Sequence, residues 1–185
     1  VEVTNPLARP TTNGSGVVTF NWRNIEPGAL PANAAPYNIE AEFAGDVDFF
    51  PATGTNTLTV TRENATMTYT GDLMSGDNMP LTLSVQLTQE ADGHLGNLAL
   101  AGTVEFTLVR TANPSQTFGP YTAAVQADGT ATVTTGNLPA YTYTVVATLL
   151  ANNYYTAAPT APATIVAPTV VAVSSASGQY SDEVT

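Results

Sequence analysis

Tyr141-Thr142-Tyr143-Thr144-Val145-Val146-Ala147-Thr148-Leu149 decides the fold of this chain. Tyr141, Tyr143, Val145, Ala147 and Leu149 alternate with Thr142, Thr144, Val146 and Thr148. Strict period-two alternation describes a strand with one face in a core and the other in water. Two more such runs lie nearby. Val104, Phe106 and Leu108 alternate with Thr103, Glu105 and Thr107; Ala131 and Val133 alternate with Thr130, Thr132 and Thr134 after the turn Asp128-Gly129. Gly102 to Ala167 therefore reads as the greater part of one antiparallel β-sandwich.

The same pattern extends outward. Leu81, Leu83, Val85 and Leu87 alternate with Thr82, Ser84, Gln86 and Thr88, and Met67 to Thr70 reads as the strand before them. Further back, Tyr37, Ile39, Ala41 and Phe43 alternate with Asn38, Glu40 and Glu42, and Val18, Phe20 and Trp22 form another run after the turn Asn13-Gly14-Ser15-Gly16. Gly45 to Gly54 reads as a long turn, Leu58 and Val60 as a short strand, and Ala163 to Val166 and Val170 to Val173 as later ones. Arg62-Glu63-Asn64 interrupts every pattern and is the linker candidate. Turn signals every 8–15 residues, without helical periodicity of useful length, specify an all-β sandwich architecture.

Composition narrows the function classes. Of 185 residues only 10% are charged, against a typical quarter, and 43% are hydrophobic. The net charge is −11, and all four basic residues are Arg. Nucleic acid and anionic membrane surfaces, which need a basic patch, are poor partners for such a chain. With no Cys there is no disulfide, zinc-thiolate site or thiol nucleophile. Without Lys, a Lys–Asn isopeptide crosslink is excluded. No run of 18 apolar residues and no leader is visible. The chain starts at Val1 with both ends inside patterned segments, which is expected of a processed chain or a piece of a longer one.

Segments of the chain match one another. Tyr37 to Phe43 matches Tyr143 to Leu149 at an offset of 106 residues, and Leu30-Pro31-Ala32 matches Leu138-Pro139-Ala140. Gly16 to Phe20 matches Gly129 to Val133, Asp48 to Ala52 matches Asn153 to Ala157, and Ser177 to Thr185 is similar to Ser75 to Thr82. The expected organisation is the C-terminal part of one unit at 1–61, a complete unit at 62–168, and at 169–185 the first strand of a further unit or a donated strand. A period near 105 residues suits a sandwich of immunoglobulin size.

The run Gly129 to Val133, then Leu138 to Val145, then Asn153 to Ala158 resembles the bacterial Ig-like (Big-type) tandem repeat domains of large cell-surface proteins. Ala44-Gly45-Asp46-Val47-Asp48-Phe49 resembles the family's Gly-Asp corner, with Phe49 in its Tyr position, and Ala101 to Leu108 its Gly-x-Val-x-Phe strand. Tyr141 stands where that pattern has Gly, and Leu150-Ala151-Asn152 where it has Gly-Asp. The resemblance covers nearly all of 13–167. It implies tandem Ig-like antiparallel sandwiches, an extracellular location, an adhesive or structural role, and no enzyme activity.

Several residues invite a chemical role. Tyr37 and Tyr143 begin strands after a Pro-containing corner, which points to a hydroxyl bonded to nearby backbone, or to sugar stacking. Asp46 and Asp48, like Asp182 and Glu183, are spaced as Ca²⁺ ligands can be, although turn chemistry explains Asp there equally. Asp72, Asp77, Glu90 and Asp92 are the carboxylates available for a glycosidase-type acid/base pair, and His94 is the lone histidine at a hairpin tip. Trp22, Phe49, Phe50, Tyr154 and Tyr155 are stacking candidates. Asn13 and Asn64 open sequons in expected turns or linkers. None of these forms a catalytic or cofactor motif. The expected function is a non-enzymatic extracellular repeat unit of a stalk, filament or surface layer, with neighbouring copies as partners. The alternatives are a glycan- or receptor-binding adhesin module and an accessory domain of a secreted hydrolase.

Overall fold

The computed structural model describes residues 13–19, 30–92 and 95–167. Contacts divide the chain into two compact units, Val1–Val60 and Thr61–Thr185. Among the described residues almost all regular structure is β-strand, and no helix is long and apolar enough to cross a membrane. Phe20, Trp22, His94, Val170 to Val173, Asp182 and Glu183 lie outside the described residues.

In the first unit, β1 (Tyr37–Phe43) and β2 (Ala52–Leu58) form an antiparallel pair in full register, from Tyr37 opposite Leu58 to Phe43 opposite Ala52. The expected long turn is shorter than its sequence suggests. Ala52, Thr53 and Gly54 join β2, because pairing with β1 satisfies a backbone whose small side chains carry no alternation.

The second unit is a two-layer sandwich. Its strands are β3 (Glu63–Tyr69), β4 (Thr82–Gln89), β5 (Thr103–Arg110), β6 (Thr117–Ala124), β7 (Thr130–Thr134), β8 (Tyr143–Leu149), β9 (Tyr155–Ala157) and β10 (Ala163–Ile165). One sheet runs β7-β4-β3-β9 and the other β10-β8-β5-β6. Every named pairing is antiparallel except β3 with β9. The alternation read from the sequence sets the core. Leu83, Val85 and Leu87 of one sheet and Val104, Phe106, Leu108, Tyr143, Val145 and Ala147 of the other are buried together. Burying side chains of this size stabilises by about 1.5–3 kcal/mol each relative to exposure.

Three strands depart from the sequence reading. β3 starts at Glu63, within the linker candidate, because Glu63, Asn64 and Ala65 pair in parallel with Tyr155, Thr156 and Ala157. β6 contains Gly119-Pro120, which hides it from a pattern search, yet it occupies the sheet edge where a Pro is tolerated. Its peptide bond there is cis, and the β5–β6 register shifts beside it. β9 has only three residues, too few for periodicity to register. The Asp128-Gly129 turn forms as expected: Gly129 takes φ +84°, and Asp128 Oδ1 accepts from Thr130 N at 2.9 Å and Thr130 Oγ1 at 2.7 Å.

Candidate functional site

The two corner tyrosines make the same bond. Tyr143, fully buried at the start of β8, donates its hydroxyl to Pro139 O at 2.7 Å; Tyr37, at the start of β1, donates to Pro31 O at 2.6 Å. The acceptors are the prolines of the matched Leu-Pro-Ala segments. Burial raises the Tyr143 phenol above its ordinary range, with Tyr141 and Tyr121 adding to the shift. Around it, Phe118 meets the ring edge-on at 5.4 Å, and Tyr141 lies tilted at 6.1 Å under the Arg110 guanidinium. A ring so enclosed anchors a strand; it presents no face to a sugar.

The Asp46 turn is also doubled. Asp46 Oδ1 accepts from Asp48 N and Phe49 N, each at 2.8 Å. Asn152 Oδ1 accepts from Tyr154 N at 2.9 Å and Tyr155 N at 2.7 Å. Positions 46 and 152 differ by the same 106 residues that separate Tyr37 from Tyr143. By these bonds Phe49 is the equivalent of Tyr155 and Asp48 the equivalent of Tyr154, one residue away from the sequence match of Asp48 with Asn153. The sequence signal was the weak Asn/Asp equivalence, since either side chain supplies the acceptor an Asx turn requires.

One oxygen of the Asp46 carboxylate, Oδ1, thus serves its own backbone turn, with Asp48 exposed beside it. Among the described residues no group of three or more His, Cys, Asp or Glu is placed to hold a metal ion.

The four carboxylates considered for acid/base chemistry fall at opposite ends of β4. Asp72 accepts from Thr82 N at 2.6 Å, and Asp77 from Ala140 N at 3.3 Å, before the strand. Glu90 and Asp92 follow it. Eight strand residues span about 25 Å, which sets Asp72 well beyond the separation a glycosidase pair uses from Glu90. At the far end Glu63 is raised above its ordinary value, first by burial and then by Asp92 and Glu90. At the near end Tyr69 donates to Asp72 O at 3.0 Å, and burial, helped by Asp72, pushes its phenol up to about 12.

The sequons differ in setting. Asn13 lies in its turn, its Oδ1 accepting from Ser15 N and Val17 N at 3.0 Å each. Asn64 is not in a linker but in β3, exposed, with Nδ2 donating to Glu90 Oε2 at 3.3 Å. Phe49 and Phe50 are both exposed, Phe50 at 92%, whereas Tyr155 is buried and Tyr154 half-buried.

Sequence reasoning missed two buried threonines. Thr135 Oγ1 accepts from Leu81 N at 2.9 Å, and Thr160 Oγ1 from Ala147 N at 3.0 Å. Both stand in for a strand partner at a sheet end, and a Thr in a Thr-rich chain carries no local mark of that. No protein-family model matches the chain, and no curated protein matches its sequence.

Proposed function

We propose that the chain is a tandem-repeat segment of Ig-like sandwiches with a non-enzymatic, structural role at the cell surface, in a stalk, filament or surface layer. The observation that carries this reading is the pair of shared local structures. The bonded tyrosine and the Asx turn recur at one offset of 106 residues, with the acceptor proline six residues before the tyrosine in one unit and four before it in the other, and the two units are separate by contact. The sheet order supports the Ig-like assignment: β10-β8-β5 opposite β7-β4-β3 is the arrangement of strands G-F-C and E-B-A in such sandwiches. A surface with few charged groups and a net charge of −11 suits an extracellular β-protein kept soluble by its negative charge.

Electron microscopy of the native full-length protein tests the reading. Beaded rods or a lattice with a repeat of one sandwich support it; isolated globules overturn it. A second reading, a binding module, draws on the exposed Phe49-Phe50 pair. Loss of glycan-array or receptor binding on Phe50→Ala favours that module.

A further inference from the structure

The first and last segments of the second unit take the same route through the sandwich. The first forms β3 in one sheet, turns at Gly71 and reaches the β10 edge of the other, where Met74 pairs in parallel with Val166. At that turn a Cβ on Gly71 would lie 2.6 Å from Thr82 O and 2.7 Å from Ser84 N, so only Gly lets the backbones pass. The last segment forms β9 beside β3, then crosses to become β10 beside β8. The two segments are therefore bonded to each other twice. At one seam Glu63 N donates to Tyr154 O at 2.8 Å. At the other, Ser75 N donates to Val166 O at 2.9 Å and Val166 N to Leu73 O at 3.0 Å. Ser75 is buried there, and its hydroxyl reaches Tyr141 O at 3.5 Å.

Both seams are parallel. Seven strand residues, about 20 Å at the usual rise, and the Gly71 turn separate them. The segment that enters at Glu63 and the one that leaves at Val166 thus do so at opposite ends of the sandwich. Tension on the two ends draws β3 and β10 along their own axes in opposite directions. Hydrogen bonds between strands lie across the strand direction, so such a pull shears a whole ladder together.

We propose that the second unit bears tension, and that its mechanical lock is the pair of parallel seams joining its first segment to its last. The seams pass load from the entry strand to the exit strand directly, and the core opens only after they slip. With no Cys and no Lys, the chain has no disulfide or isopeptide bond to carry that load instead. The pairings stand by themselves; the tension rests on the proposed role in a stalk, filament or layer, where a unit is pulled from both sides.

Single-molecule pulling on the full chain tests this, and the absence of Cys lets two introduced thiols define the axis. Handles on Thr61→Cys and Ala167→Cys pull along the seams. Handles on Thr122→Cys and Thr164→Cys, exposed on the two edge strands of one sheet, pull across it. The first axis should hold to the higher force; equal or greater resistance across the sheet overturns the proposal. Two variants then locate the lock. Glu63→Pro removes the donor to Tyr154 O and Val166→Pro the donor to Leu73 O, at a strand start and a sheet edge where proline is tolerated. Along the first axis each should speed unfolding at fixed force by about tenfold, the effect of one ladder bond lost from the barrier. Thr135→Val takes the acceptor from Leu81 N, between β7 and β4, and touches neither segment. It should weaken the unit in denaturant yet leave forced unfolding near the unmodified rate. If it matches the proline variants under force, resistance merely reports overall stability and the proposal falls. Weak resistance along the first axis removes the lock alone, whereas micrographs of isolated globules remove the stalk reading on which the tension depends.

Discussion

β1 and β8 begin with tyrosines tied to a proline carbonyl, and they alternate alike along their length, yet they live in different surroundings. Tyr143, Val145 and Ala147 are fully buried between β5, β10 and the opposing sheet, whereas Ala41 and Phe43 are exposed and Ile39 is half-buried. The difference teaches that alternation specifies a strand and its two faces but not the layer that covers the inner one. A two-stranded ribbon alone is at best marginally stable in water, and a second sheet contributes the burial that stabilises it. What survives in both settings is local: a hydroxyl reaching a carbonyl within six residues, and an Asx side chain bonding the two amides ahead of it.

The largest test of this contrast removes a core ring. Phe106→Ala is expected to destabilise the second unit by about 3–5 kcal/mol through lost burial and a cavity. Phe50→Ala, at an exposed ring, should leave thermal melting within about 0.5 kcal/mol. Comparable effects of the two would mean that the first unit has a core of its own around Phe50. Next, Tyr143→Phe strips the hydroxyl from a buried bond and leaves Pro139 O without its donor, costing about 1–3 kcal/mol in denaturant unfolding. Tyr37→Phe should not move that transition; if it does, the two units do not unfold independently.

Asn152→Ala removes the acceptor for two backbone amides and should cost about 1 kcal/mol, in the range of a lost helix cap. Asp46→Ala leaves the second unit unchanged and is read instead as faster exchange at Asp48 and Phe49. The smallest effect is electrostatic. Glu63 is raised above 4.5 in the fold, so its charged form is disfavoured there, and the unfolded chain releases that proton at lower pH. Stability contributed by the protonated form is lost as pH rises through the carboxylate range. Glu63→Gln should therefore raise the melting temperature slightly at pH 7 and lose that advantage below about pH 4. An advantage independent of pH would assign the effect to something other than burial of the Glu63 charge and its repulsion by Asp92 and Glu90.

Much of the sandwich was legible because buried and exposed faces alternate along β4, β5, β7 and β8. β6, β9 and the start of β3 were not. Gly119-Pro120 breaks the pattern, three residues hold no period, and Glu63-Asn64 is polar on both sides. Those segments are strands because a neighbour offers backbone groups to pair with, which no local signal records. The tyrosine corners were legible for the opposite reason: donor and acceptor are close along the chain. The sequence also suggested Ca²⁺ ligation at Asp46 and Asp48 alongside turn chemistry, and the local bonds from Asp48 and Phe49 show where the Asp46 oxygen is used.

By itself, the sequence determined what depends on neighbouring residues: strand alternation, the Asp128-Gly129 turn, the anchoring tyrosines and the chemistry excluded by having no Cys or Lys. Only the tertiary structure decided which strands pair, that β3 runs parallel to β9, that Asp72 and Glu90 stand at opposite ends of one strand, and that β8 is flanked by β10 and β5 and buried on its inner face. Pairing and burial join residues far apart in the chain. Their energies belong to the partner supplied as much as to the strand that needs it.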